Sequence, residues 1–592
     1  MPKLLDQPRF LITTDDESLW KFDRPVIFLG AWCLNYDRKH IWKVMDSVIA
    51  DPVGLDKNSL DRDSTKSKIL QEKFFFKLFN ELNKHHKVNY SQRFWKILLG
   101  PWLRRYIDVM INRVQTLEDC LANHKISGTA IFANKDYLLS SENSYLAVLA
   151  FNDNRWNQEL YIRILNILKR KSFPVEELGE IESSNFYQDN FLDANSFLKQ
   201  IIDISKKKVK KLTAYLSKNN DAFIINSYLP KLIEFKLQFL LHQIPQFWSS
   251  PRQYKSSKKH NIELRNKLTK SINEETNDPF LKVMNSLIFE LIPISYLEGF
   301  TELNYMTEQL PWPKDPKFIF TSNNYDMDDI SQLWIAKKVE SNYKYIVAQH
   351  GSNYGVHSYL GYLSIEEETC DKFLTWGWSN GIPQQVPAFV LKTSGIKYKY
   401  NSNGGLLLIE RNMYEKVHTW DVTAEFNTYF EDQKKFIQSL TNQIKEYLSV
   451  RLHPQTSLSD QLRYKDISHS INFDNGLFSM NQLIKQSRLV VHSYDSTSML
   501  EMLSQNIPSI AFWNSGLDHI NDNAKSYYQM LLEAGIIHLT PQSAASKINE
   551  IWCNVDGWWM QESIQEVRRI FCDRYARNES KPIDTLLNIL KN

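Results

Sequence analysis

The stretch VVHSYDSTSMLEML, residues 490–503, decides how the chain is read. Val490 and Val491 lead into a run of hydroxyls and one acid: Ser493, Asp495, Ser496, Thr497 and Ser498. A helical apolar pattern follows at once. An apolar run that hands over to a helix within a few residues is the repeating unit of a parallel α/β sheet. The same alternation surrounds it. Upstream lie LLLIERN at 406–412, a helix near 424–447, YLSVRLHP at 447–454 and a helix at 480–487; downstream lie PSIAFWN at 508–514 and IIHLT at 536–540. It starts afresh after KYKYNSNGG at 397–405, which marks a boundary between a unit of residues 1–398 and one of 399–592.

The first unit alternates too. RFLITT at 9–14, PVIFLGAWCL from Pro25, GTAIFAN from Gly128, KFIFT from Lys317, YKYIVA from Tyr343 and KFLTW from Lys372 are short apolar runs of the kind found in buried parallel strands. Residues 66–122 read as helix, which Pro101 is expected to kink or end. Residues of about 155–300 read as a mainly helical insertion. The expected fold class is therefore α/β, with two Rossmann-like halves facing a cleft.

Composition narrows the function. A net charge of +3 over 592 residues excludes a dedicated nucleic-acid binder. Five scattered cysteines, none at metal-ligand spacing, fit a reducing cytoplasm rather than a disulfide framework. The opening residues lack signal-peptide character and no apolar run reaches membrane-spanning length. The basic stretches 206–211 (KKKVKK) and 251–260 (PRQYKSSKKH) read as solvated surface or as a peripheral contact with anionic lipid at the inner membrane. No P-loop, glycine-rich dinucleotide fingerprint, nucleophile elbow or metal cluster is present, so neither a metal nor a cofactor is expected.

Ligands of open α/β sheets collect at the carboxyl ends of strands. Three such ends carry chemistry. QHGSNYG at 349–355 offers His350 as a general base, with Gln349, Gly351 and Gly355 shaping the loop; the plainer reading is a histidine that braces the turn. RLHP at 451–454 offers Arg451 and His453 as phosphate donors, with Pro454 fixing the strand exit; the plainer reading is a strand-ending proline with polar neighbours. In the opening stretch Ser493, Ser496 and Thr497 lie where a helix N-terminus exposes unpaired amides that favour phosphate. Helix capping by Ser496 or Asp495, with Glu501 in support, explains part of the same pattern. Asp495 suits a phosphate site poorly unless it faces away.

A histidine in a glycine-rich loop of the first half, a His-Pro pair in the second and a Ser/Thr pair at a later helix start resemble GT-B nucleotide-sugar transferases. Bacterial sialyltransferases, Kdo transferases of capsule synthesis and teichoic-acid glycerophosphotransferases are closest in pattern. More broadly, FLGAWCL (28–34), FWKILLGPWL (94–103), FTSNNYD (320–326), QHGSNYG, FLTWGWS (373–379) and DSTSMLEMLSQNIPSIAFWN (495–514) resemble a family of transferases from bacterial surface-polysaccharide loci. The resemblance implies that His453, Ser496 and Thr497 hold the donor phosphate, typically of CMP or CDP. It implies His350 as the base, or, in the sialyltransferase manner, an acid after the first strand: Asp15, Asp16 or Glu17. The implied activity is sugar transfer from a CMP-linked donor to a glycan or glycolipid acceptor of capsule, O-antigen or lipopolysaccharide, at the cytoplasmic face of the membrane. A CDP-linked glycerol- or ribitol-phosphate transferase and a non-catalytic glycan-binding or assembly protein are the alternatives.

Overall fold

The computed structural model describes residues 7–54, 56–132, 137–170, 173–179, 216–251, 254–324, 326–359, 363–411, 426–453, 464 and 471–591. Among these, sixteen strands form three sheets, and every pairing between neighbouring strands is parallel. The first sheet contains β1 (Arg9–Ile12), β2 (Val26–Phe28), β3 (Ser47–Ile49), β4 (Ile126–Phe132) and β5 (Val175–Leu178), in the order β3-β2-β1-β4-β5. The middle sheet contains β6 (Phe223–Ile225), β7 (Ile319–Thr321), β8 (Tyr345–Ala348), β9 (Lys372–Thr375) and β10 (Gln385–Pro387), ordered β10-β9-β8-β7-β6. The last contains β11 (Gly405–Ile409), β12 (Leu448–Arg451), β13 (Asn472–Asp474), β14 (Ser487–His492), β15 (Ser509–Phe512) and β16 (Ile537–His538), ordered β13-β12-β11-β14-β15-β16.

The α/β class expected from the alternation is what the structure has. The first and last sheets have the reversed, Rossmann-like strand order, and the sequentially ordered middle sheet is a third layer that the two-half expectation did not include. Residues 1–398 hold two five-stranded sheets, and the stretch 155–300, read from sequence as helical, gives an edge strand to each: β5 to the first and β6 to the middle one. Both strands are short, which is why helical periodicity around them dominates the sequence. Residues 66–122 form two helices, Lys57–His86 and Gln92–Asn123. The first stops where Lys87 turns left-handed at φ 55°, and the second starts where the Ser91 hydroxyl accepts the Phe94 amide at 3.2 Å. Pro101 lies inside the second helix, which runs on past it.

The last sheet positions the site. Counted from its own first strand its order is 3-2-1-4-5-6, so the chain reverses direction across the sheet between β11 and β14. That reversal opens a crevice at the carboxyl ends of the two strands. β11 can occupy the centre because its run GLLLI is apolar throughout: Leu406, Leu407 and Leu408 are all buried. Burial of side chains of this size contributes about 1.5–3 kcal/mol each. The middle sheet is ordered sequentially and has no such reversal.

The chain end returns to the middle sheet. Leu586 and Leu590 of the helix Pro582–Lys591 share a core with Ala222, Ile224, Leu237 and Phe320. The Lys372 ammonium donates to the Ile589 carbonyl at 2.7 Å. No helix among the described residues is long and apolar enough to cross a membrane. Every described tryptophan is buried or half-buried.

Candidate active site

The carboxyl edges of the middle and last sheets meet. The Ser352 amide, in the loop after β8, donates to Thr497 Oγ1 at 3.1 Å. A methyl group built on Gly351 would lie 3.6 Å from the same oxygen. QHGSNYG and DSTS, 145 residues apart, therefore face one another.

The loop after β8 is braced from below. Gln349 is buried; its Oε1 accepts from the Trp376 amide (2.9 Å) and Trp378 Nε1 (2.8 Å), and its Nε2 donates to the Gly351 carbonyl (2.8 Å). Gly355 has φ +71°, and a Cβ there would fall 2.4 Å from the Trp378 ring. Both residues shape the loop, as expected. Gly351 adopts no left-handed backbone; its role is close approach to Thr497. His350 is half-buried above this brace, with its Nδ1 3.4 Å from the Tyr354 hydroxyl and its ring edge-on to Tyr228. Burial pushes its pKa down against the pull of Asp326, so it is neutral at pH 7 and able to take a proton.

The end of β14 divides its hydroxyls among different tasks. Ser493 is buried; its hydroxyl donates to the Ile409 carbonyl at 3.0 Å and meets the Tyr429 hydroxyl at 2.5 Å. It ties β14 to β11 at their carboxyl ends, and both of these bonds engage its hydroxyl within the protein. Ser496 caps the helix Thr497–Ser504 by accepting the Met499 amide at 3.0 Å, and it too is buried. Glu501 is not part of a capping box: it pairs with Lys392 at 2.9 Å. Thr497 alone of the expected pair is half-exposed at the seam. The amides of Thr497 and Ser498 have no acceptor among the described residues, which leaves the helix N-terminus open to an anion.

Asp495, awkward from sequence, is taken up by a buried hydrogen-bonded cluster. Its carboxylate accepts from His357 Nε2 at 2.8 Å and from the Tyr528 hydroxyl at 3.0 and 3.1 Å, with His519 Nε2 3.5 Å away. Burial alone would raise its pKa, but the hydrogen bonds and charges of His357 and His519 outweigh it and hold the carboxyl far below the usual range. His357 belongs to the middle sheet's loop, so this cluster clasps the two layers. Ser358 N donating to the His519 carbonyl (2.9 Å) and Asn521 N donating to the Val356 carbonyl (2.8 Å) extend the clasp. The atoms of His357, Asp495 and His519 also lie close enough together to hold a cation.

At the end of β12, Arg451 is ion-paired to Asp474 of the neighbouring strand, so its guanidinium is not the unengaged fork expected from sequence. His453 is half-buried, and burial together with Arg451 pushes its pKa down. It can offer a neutral N–H to a phosphate but no positive charge. Pro454 lies outside the described residues. A further cation, Arg411, stands two residues beyond β11, the strand between β12 and β14. Its amide donates to the Tyr429 hydroxyl at 2.7 Å, and its side chain has no ion-pair partner among the described residues. It is near enough to help lower the pKa of His357, after burial and against Asp495. Sequence reasoning passed over it inside LLLIERN; an arginine just past the strand that restarts the alternation was the available signal.

Asp15, Asp16 and Glu17 follow β1, on the first sheet. Asp15 accepts from Asn154 Nδ2, Asp16 caps a short helical turn by accepting from the Ser18 amide at 3.0 Å, and Glu17 pairs with Arg38 at 2.5 and 2.8 Å. These bonds stay within the first layer and its helices. The basic stretch 206–211 lies outside the described residues, as do 252–253; Lys255, Lys258 and Lys259 are exposed.

A family model described as LIC12162 family transferase matches residues 9–590. No curated protein matches. Among solved structures, the wall teichoic acid polymerase TagF is similar at 12% identity and a TM-score of 0.30, covering 67% of this chain and 95% of that one. MurG of Acinetobacter baumannii matches at 10% identity and a TM-score of 0.31, covering 63% and 99%. The spinosyn rhamnosyltransferase SpnG matches at 12% and 0.29, covering 50% and 77%.

Proposed function

Because the chain belongs to the LIC12162 family of transferases, we propose that it moves a sugar from a nucleotide-activated donor, CMP-linked, to a glycan or glycolipid acceptor of the bacterial surface. The observation that carries this reading is the crevice between β11 and β14. There Arg411, which has no ion-pair partner among the described residues, and the helix N-terminus at Thr497 lie across from the loop that carries His350, neutral at pH 7. The donor phosphate would take charge from Arg411 and the amides of Thr497 and Ser498, and a hydrogen bond from neutral His453. No metal is needed in this scheme for phosphate neutralisation.

In the transfer step the acceptor hydroxyl oxygen bonds to the anomeric carbon. The bond from that carbon to the donor phosphate oxygen breaks, and its electron pair leaves with the nucleotide. The hydroxyl proton passes to His350. His350 is favoured over Asp15, Asp16 and Glu17 because its loop touches the helix that would hold the phosphate, whereas the acids are engaged within another sheet. A histidine base also suits transfer of a glycerol or ribitol phosphate from a CDP donor. In that case the acceptor gains a phosphodiester, which product mass distinguishes. We place the reaction at the cytoplasmic face of the membrane.

A thermal-shift screen of the full chain with CMP, CDP, UDP and GDP tests the reading, since a ligand of the native state raises its melting point. Cytidine nucleotides should stabilise the chain and lose that effect in Arg411→Ala. Stabilisation by none of the four, or equal stabilisation of the variant, sinks the site assignment.

A further inference from the structure

The helix Lys231–Leu240 shows solvent an unusual face. Leu232 is 76% exposed, Phe235 48% and Phe239 66%, and Leu240 lies beside them. Lys231 and Lys236 are the other exposed residues of the helix. Its one acid, Glu234, is turned inward, accepting from the Ser227 hydroxyl at 2.6 Å. The inner face is closed: Leu237 and Gln238 are buried, Leu237 in the core shared with the chain's final helix. Four large apolar side chains and two lysines, with no carboxylate, therefore make up an outward stripe about 15 Å long.

The apolar surface continues past the helix. Ile244 and Phe247 are exposed, and a groove of about 350 Å³ beside the helix end is lined by Leu216, Phe239, Leu240, Ile244 and Lys218. Asp221, the acid of that groove, is buried and accepts the Lys218 amide at 2.8 Å. Isolated exposed apolar residues are ordinary; a contiguous patch ringed by cations is not.

We propose that this face docks the protein on an anionic lipid bilayer, with Leu232, Phe235 and Phe239 entering the headgroup boundary and Lys231 and Lys236 lying on the anionic headgroups. Apolar side chains flanked by lysines on one helix face are the pattern of helices that lie in a membrane interface. Position supports the assignment. β6 ends at Ile225, Tyr228 stands edge-on to His350 with a left-handed backbone (φ 61°), and only Leu229 and Pro230 separate Tyr228 from the helix. The docking face thus begins at the rim of the candidate site. On the reading of that site given above, a lipid-linked acceptor would reach His350 directly from the bilayer edge; the docking itself does not depend on that reading.

The test is co-sedimentation of the full chain with phosphatidylcholine vesicles and with vesicles of two parts phosphatidylcholine to one part phosphatidylglycerol. The native chain should bind the anionic vesicles and weaken with added salt. The double variant F235S/F239S should bind at least about tenfold more weakly, and K231Q/K236Q about tenfold more weakly with a reduced salt dependence. Both variants alter exposed side chains, so melting points and nucleotide-induced stabilisation should match the native chain; this keeps a failure of docking distinct from a failure of the donor site. Absence of binding to either vesicle, or equal binding by F235S/F239S, overturns the proposal. So does sedimentation as a dimer that F235S/F239S converts to monomer, since the face would then belong to a second copy of the chain.

Discussion

Replacing Asp495 by asparagine should loosen the clasp between the middle and last sheets. The Asp495 side chain is 4% exposed, and no lysine or arginine forms an ion pair with it among the described residues. Its charge is carried by hydrogen bonds from His357 at 2.8 Å and from Tyr528 at 3.0 and 3.1 Å. Asparagine keeps the shape but exchanges one acceptor oxygen for a donor NH₂, so one charge-assisted bond is lost and a buried donor faces another donor. Loss of a hydrogen bond to a charged group costs about 1.5–3 kcal/mol, and a stranded buried donor about 1–3 kcal/mol. The expected destabilisation is about 3 kcal/mol. For a unit the size of the last sheet with its helices, this corresponds to a melting-point loss of about 6–12 °C. Differential scanning calorimetry of Asp495→Asn beside Tyr528→Phe reads it. The tyrosine variant keeps the carboxylate and its bond from His357 and removes one bond to the charge, so it should cost about 1.5 kcal/mol, the low end for such a bond. A loss below about 2 °C in Asp495→Asn would refute the claim that this carboxylate holds the layers together.

Other outcomes follow from single residues. Gly355→Ala places a Cβ 2.4 Å from Trp378 at φ +71°, and should lower stability by about 2 kcal/mol or more in a denaturant titration. Arg451→Ala strands Asp474 and should lower the melting point while leaving nucleotide affinity nearly unchanged, because Arg451 serves the sheet edge. His492 is buried without a charged partner, and its pKa falls from 6.5 to about 3. The unfolded chain then binds a proton below pH 6.5 that the native chain refuses, so this contribution is complete above pH 6.5 and declines as pH falls. The loss reaches about 2 kcal/mol by pH 5, and His492→Gln should flatten that part of the stability profile. His350, pushed below the ordinary 6.5, stays unprotonated into mild acid; the acid limb of kcat/KM should lie below pH 6.5 and vanish with His350→Ala along with most of the rate.

Much of the last sheet was legible because its strands are buried on both faces and read as unbroken apolar runs, as in GLLLI and RLVV. β6 was not: three residues, Phe223–Ile225, sit among stretches with helical periodicity. The site was legible as three loops but not as roles. Hydroxyls at 493, 496 and 497 look alike in sequence, yet their directions depend on Ile409, Met499 and Ser352, which are set by the fold. Arg451 looked available because Asp474, its partner, comes from the next strand. Arg411 looked incidental because its value comes from the reversal of strand order at β11. Asp495 fitted poorly because His357, His519 and Tyr528 reach it from distant segments.

Calorimetric titration of CMP and CDP into the full chain, Arg411→Ala and His453→Ala tests the central claim most directly. The crevice between β11, β12 and β14 should bind a cytidine nucleotide at one equivalent. Arg411→Ala should weaken it by about 2–3 kcal/mol, the worth of a charge-assisted contact, which is a factor of about 30 to 150. His453→Ala should weaken it by about tenfold. Undiminished binding in both variants, or loss of binding on Asp16→Asn instead, would place the nucleotide elsewhere and contradict the account.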